Sequence, residues 1–192
     1  DGDGRSDAVF GLPSSNQVHV AFGNGTSTLI NGSGGFGHGV ALVDIDGDGF
    51  DDLLVGAPDD DGGNGTLSAW FSSVGAPDER APDWDMNGSA GEGLGHHLVT
   101  VADLDGDGHH EVGASSLSST TTGAVHVLFG NGTSLDLKRS ILPTAIGPAF
   151  GQSLASGDLN CDGMADLVVS NTGTIDSPTG YSAIEVFHGS AS

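Results

Sequence analysis

The sequence predicts an all-β chain of repeated, four-stranded antiparallel units, and three observations predict it. The apolar segments are short, about four to seven residues, and clusters of Gly, Asn, Asp and Pro bound them. Gly supplies 34 of the 192 residues, while no amphipathic helical pattern persists. One acidic run, with oxygen side chains at alternate places, recurs along the chain. Its spacing of about 45 to 60 residues is the size of one four-stranded propeller blade, so the chain reads as a single β-propeller array over residues 1–192.

The units follow in order. The first, about residues 1–33, opens inside the acidic run at Asp1, Asp3 and Asp7 and then carries the strand Val18-His19-Val20-Ala21-Phe22. The second, about 34–91, has Phe36-Gly37, the run Asp44, Asp46, Asp48 and Asp52, the apolar strand Leu53-Leu54-Val55, Gly56-Ala57-Pro58, and a strand ending at Trp70-Phe71. Leu94-Gly95, the run Asp103, Asp105, Asp107 and Glu111, and the strand Val125-His126-Val127-Leu128-Phe129 mark the third, about 92–147. The fourth, about 148–192, has Phe150-Gly151, the run Asp158, Asn160, Asp162 and Asp166, Leu167-Val168-Val169, and Ala183-Ile184-Glu185-Val186-Phe187. The first unit lacks an opening strand and the last a closing one, which leaves about fourteen strands in roughly 3.5 blades. Such an array is an incomplete ring, a small closed ring, or part of a larger assembly whose open blade edges take strands from a partner. The chain opens within a ligand run and shows no signal peptide, so a processed piece is expected.

The acidic run has the spacing of a calcium loop. Oxygen ligands at its first, third, fifth and ninth places, with Gly after the fifth for a sharp turn, let a short loop close around a hard cation. The seventh place, occupied by Arg5, Phe50, His109 and Met164, offers its backbone carbonyl. About one Ca²⁺ per repeat is expected, at three complete sites and one truncated site that begins at Asp1. An EF-hand would need a bidentate Glu at place twelve and flanking helices. Place twelve here is Val55, Ala114 and Val169, inside or beside strand-like runs, so these loops join strand to strand.

With Phe36-Gly37, the run from Asp44 to Asp52 and Gly56-Ala57-Pro58 in that order, the chain resembles the FG-GAP repeats of the integrin α-subunit β-propeller. The resemblance covers essentially the whole chain. It implies blades of four antiparallel strands, with calcium held in the loop between the first and second strands and ligands met at the opposite face. The third repeat departs at Leu94 and Gly113-Ala114-Ser115, and the fourth at Ser170-Asn171, but neither departure touches the metal ligands.

Charge bounds the partners. There are 26 acidic and 4 basic residues, a formal charge of −22, and more than half of the acidic residues stand at the ligand places. Nucleic acid and anionic membrane surfaces are repelled by such a field, and Arg5, Arg80, Lys138 and Arg139 cannot assemble a basic patch. No apolar stretch is long enough to insert into a membrane as a helix. The single Cys161 excludes an internal disulfide and stands where the other complete loops have Gly47 and Gly106, as a tolerated substitution.

Five Asn-Gly-Ser/Thr triplets, at Asn24, Asn31, Asn64, Asn87 and Asn131, exceed what composition supplies by chance. Asn-Gly also suits type I′ hairpin turns, which explains the Gly but not the third residue. N-glycosylation is therefore expected, and with it an extracellular or cell-surface location. No G-x-S-x-G, H-E-x-x-H or phosphate-cradling loop occurs, so no enzyme is read here. Among the eight His, His96-His97 and His109-His110 would suggest zinc, but neighbours on a strand point to opposite faces and seldom share an ion. His19 and His126 recur at one strand position, which favours a structural role.

The leading expectation is an extracellular calcium-stabilised propeller for adhesion or protein recognition. A glycosylated subunit of an extracellular filament or matrix, built from copies of the chain, is a second. A lectin-like propeller for glycans, with Trp70 or Trp84 stacking on sugar, is a third.

Overall fold

The computed structural model describes residues 2–72, 81–117, 123–132, 134–142, 149–172 and 182–191. Among the described residues, fourteen strands form four antiparallel sheets. The first sheet holds β1 (Ala8–Leu12), β2 (Gln17–Ala21) and β3 (Ser27–Asn31). β4 (Val40–Val43), β5 (Asp52–Ala57), β6 (Thr66–Trp70) and β7 (Trp84–Asn87) form the second. The third is made of β8 (Leu94–Val101), β9 (Glu111–Ser116), β10 (Ala124–Gly130) and β11 (Leu135–Ile141). The last contains β12 (Ala149–Gly157), β13 (Asp166–Thr172) and β14 (Ser182–Phe187). Every sheet is a meander in which each strand pairs with the next in sequence. The three, four, four and three strands match the strand count expected from the sequence, and the ring is not closed.

Blades stack through three apolar cores. Val18, Val20 and Ile30 of the first blade meet Leu53, Val55 and Trp70 of the second. Leu54, Leu67 and Ala69 on the other face of the second blade meet Val112, Ala114 and Leu128 of the third. Val125, Val127 and Phe129 then meet Leu167 and Val169 of the fourth. Inner blades are thus buried on both faces, which is why β5 and β10 read as continuous apolar runs instead of alternating ones. Each core burial contributes about 1.5–3 kcal/mol per large side chain. The outward faces of the two end blades have no such cover: Phe10 is 53 % exposed and Ile184 72 %.

Two small residues set the spacing between blades. Gly95 adopts φ 100° and a Cβ there would lie 2.7 Å from the Gly56 Cα of the preceding blade. Gly37 adopts φ 88°, and its Cβ would lie 2.6 Å from the Gln17 carbonyl oxygen. Both the Phe/Leu-Gly step and the Gly of Gly56-Ala57-Pro58 are therefore fixed by one close approach, with left-handed backbone added at the former. Phe36, beside that glycine, is buried and meets Trp70 edge-on at 5.9 Å.

Candidate metal centres

Each acidic run is the loop from the first to the second strand of its blade: 44–51 between β4 and β5, 102–110 between β8 and β9, 158–165 between β12 and β13. Alternate aspartates shape it. Asp44 accepts N–H bonds from Gly47 (2.7 Å) and Gly49 (3.0 Å), Asp46 from Asp48 (3.2 Å), and Asp48 from Phe50 (2.9 Å). The second complete loop repeats the ladder, with Asp103 accepting from Gly106 and Gly108, Asp105 from Asp107 and Asp107 from His109. These side-chain turns pull the carboxylates inward, since the third- and fifth-place acids bond the backbone two residues on and the first-place acid the backbone three and five residues on. As a result Asp44, Asp46 and Asp48 present oxygens within 4.8 Å of one another, and so do Asp103, Asp105 and Asp107.

The ninth place does something the sequence did not disclose. Asp52 is buried and both its oxygens take backbone donors, Ile45 at 2.8 Å and Ser72 at 2.7 Å. It therefore ties the loop's start to the chain leaving β6. Asp166 does the same with Leu159 (2.9 Å) and Gly189 (3.0 Å), and Asp7 accepts from Gly23 (2.9 Å). In the third blade Glu111 accepts from Leu104 through Oε2, while its Oε1 is buried without a hydrogen-bond partner. Burial pushes Asp52 up to about 6 despite its two backbone donors, and Asp46 and Asp44 add to the rise. Burial pushes Glu111 up to about 7, with Asp105, Asp107 and Asp103 contributing. In Asp166 burial is outweighed by the Leu159 and Gly189 donors and by His188, 3.1 Å away, and its pKa falls below the ordinary value.

These donors fit calcium. They are hard oxygens only, they converge in two loops, and Glu111 Oε1 is an orphaned acceptor that a cation would satisfy. The fourth loop is drawn differently: Asn160 bonds Asp162 through its side-chain amide at 2.9 Å, and Asp158 accepts from Asp162 and Gly163. Its Cys161 holds φ 61°, the left-handed region that Gly47 and Gly106 occupy at 76° and 78°. In the truncated first loop Asp3 accepts from Arg5 at 2.9 Å, while Asp1 lies outside the described residues.

All five sequon asparagines are hydrogen-bonded: Asn24 accepts from Thr26, Asn31 from Gln17 and Asn87 from Thr66, the Asn64 amide donates to Asp61 and accepts from Gly91, and Asn131 bonds Ser134 and Asp136; all but half-buried Asn64 are exposed. Among the described residues none of these Asn has the positive φ of a type I′ turn. Asn24-Gly25 instead turns with Gly25 N–H donating to the Phe22 carbonyl (2.9 Å) and Gly25 alone at positive φ, 88°. Trp70 is 3 % exposed and so buried away from any sugar, while Trp84 is half-buried with one side packed on the core.

Two histidine groups named in the sequence have partners that the sequence reading did not find. His126 is buried, its Nε2 facing Glu92 Oε1 at 2.5 Å and Ser116 Oγ at 3.0 Å, its Nδ1 facing Ser140 Oγ at 3.0 Å. His96 and His97 both approach His38, against the expectation that neighbours on a strand diverge. A register shift in the β8–β9 pairing between Leu94 and Leu98 is the reason.

Residues 36–70 match the FG-GAP repeat model, and residues 103–169 match the FG-GAP-like repeat model. The chain is 32 % identical to integrin alpha-5 of Xenopus laevis over 99 % of its own length and 20 % of that protein's. It is 29 % identical to integrin alpha-V of Gallus gallus over 95 % of the chain and 20 % of the relative, and 32 % identical to human integrin alpha-IIb over 72 % and 15 %. The chain therefore spans a fifth or less of the length of these curated relatives.

Proposed function

Because this chain is an integrin-α-like FG-GAP repeat domain, we propose that it is an extracellular, calcium-stabilised propeller segment serving adhesion or protein recognition. The convergence of Asp103, Asp105 and Asp107, together with the orphaned Glu111 oxygen at the ninth place of the same run, supports this reading. Calcium would sit in the loops after the first strands and would be structural: it replaces repulsion among clustered carboxylates by coordination and so fixes the loop to the blade. The protein ligand would be met at the opposite end of the strands, where Phe36-Gly37 and Leu94-Gly95 enter β4 and β8. Millimolar extracellular calcium suits such loops, and glycans on exposed Asn24, Asn31 and Asn87 agree with that location.

Thermal melting in millimolar calcium and again after chelation tests the metal. The melting temperature should fall by several degrees or more on chelation. An unchanged value would sink the calcium assignment.

The exposed Phe10 and Ile184 faces favour a second reading, in which copies of the chain pack blade to blade in an extracellular assembly. Light scattering decides between the two readings.

A further inference from the structure

Three times among the described residues, the side chain at the seventh place of one acidic run lies over the fourth-place glycine of the run in the blade before it. A Cβ on Gly2 would collide with the Phe50 ring, one on Gly47 would lie 3.7 Å from Cε1 and Nδ1 of His109, and one on Gly106 would lie 3.8 Å from the Met164 sulfur. Phe50, His109 and Met164 are half-buried at these contacts, whereas Arg5, the seventh-place residue that no earlier run of the chain precedes, is exposed. The eighth place adds hydrogen bonds at two of the same junctions. His110 Nδ1 lies 3.3 Å from the Asp44 carbonyl oxygen, which only accepts, so the ring donates. The Ala165 N–H donates to the Asp103 carbonyl at 3.1 Å. Each loop is thus held by its neighbour at two points that shape its own triad. The first-place aspartate supplies a carboxylate to it, and the left-handed turn at Gly47 (φ 76°) or Gly106 (φ 78°) folds the carboxylates together.

We propose that adjacent loops bind calcium cooperatively, with His109 a positioning residue for the site at 44–52 and Met164 for the site at 103–111. The proposal rests on the calcium reading above. The carboxylates of an empty triad repel one another and loosen the turn that holds them. A filled loop presents a fixed fourth-place turn and a fixed first-place carbonyl to the next blade, so the second ion has less chain left to order.

The long-range field acts the other way, because each ion removes part of the negative charge that attracts the next. Salt screens that field beyond about 10 Å at 0.1 M and leaves the packed and hydrogen-bonded junctions in place, so the contacts prevail at physiological ionic strength. The seventh place is suited to the task because its backbone carbonyl, not its side chain, is the expected ligand. Replacing the side chain therefore leaves the donors of its own site complete and acts on the neighbour.

The test is hydrogen exchange followed across a CaCl₂ titration at about 0.15 M salt, which reads each loop through the strands that flank it. In the native chain, protection of β4–β5 and of β8–β9 should rise together over one narrow calcium range. His109→Ala should raise the calcium concentration that protects β4–β5 by about 5-fold or more, with a smaller shift at its own β8–β9. His109→Phe, which copies the side chain at place seven of the preceding run, should restore the native range. Coupling is reciprocal, so Asp48→Ala should also weaken binding at 103–111, and Asp107→Ala binding at 44–52. These two variants keep the test decisive should His109→Ala misfold. Neighbouring loops that fill at the native concentration in all of these variants would overturn the coupling and leave the calcium reading standing. A native chain whose protection does not respond to calcium would overturn the calcium reading and the coupling with it.

Discussion

Cys161 and Glu92 show how single residues carry strain and cohesion in this array. The fourth place of each loop turns left-handed, and a side chain there costs about 1–2 kcal/mol that glycine does not. Cys161, at φ 61°, bears that cost alone among the described loops. Cys161→Gly should therefore stabilise the chain by about 1 kcal/mol in denaturant titration with calcium present. A loss of stability would mean that the thiol makes a contact worth more than the strain. Glu92 works in the other direction. Burial raises its pKa, but the Ser89 N–H at 2.6 Å together with His126 and Ser116 outweighs burial, and the value falls below the ordinary one. A carboxylate with a lowered folded-state pKa stabilises the fold above its unfolded value and loses that effect as pH falls through the folded one. Glu92→Gln should thus cost about 1–3 kcal/mol at pH 7, and the gap in melting temperature to the native chain should narrow below about pH 4. A gap that stays constant with pH would assign the loss to packing.

At the scale of the element, the strand-to-strand loop is the unit that binds and the unit that was legible. Its aspartates, its glycines and the apolar runs after it are local signals, so the strand count and the ladder of side-chain turns follow from spacing. Three features were not legible. The ninth residue proves to be a buried staple, because its partners Ser72 and Gly189 lie a strand pair away. The shift in β8 has no single-sequence signature, and it alone brings His96 and His97 to His38. Glu92 and His126 meet across a long sequence separation that no motif spans. The staple leads to a prediction. Glu111→Gln keeps the shape and the Leu104 bond but removes a buried charge. In chelator the variant should melt at or above the native chain, because a buried carboxylate pays desolvation without a cation. In calcium the order should reverse, since a neutral amide is the weaker ligand. Asp107→Ala should instead lower calcium affinity with hydrogen-exchange protection lost around β8 and β9 first. The same order of stability in both buffers would show that Glu111 never meets the metal.

On the scale of the whole molecule, two forces oppose each other. The inner blades bury both faces, while the end blades leave Phe10, Leu12 and Leu29 on one outer face and Ile184 and Val186 on the other. Apolar exposure of that kind drives association at about 25 cal/mol per Å² buried. The net charge of −22 resists it, because copies of one chain repel. Calcium in the loops lowers the repulsion, and salt screens it beyond about 10 Å at 0.1 M. Association of copies through the end faces should therefore rise with calcium and with ionic strength together, where a contact made of ion pairs would weaken with salt. Light scattering across a salt series in millimolar calcium reads the difference. Phe10→Asp with Ile184→Asp should return the mass to one chain without moving the melting temperature, since both side chains are exposed and no core packs on them. A native chain that stays monomeric throughout the series would remove the assembly reading and leave the end faces to be covered by a different partner, which makes recognition the surviving function.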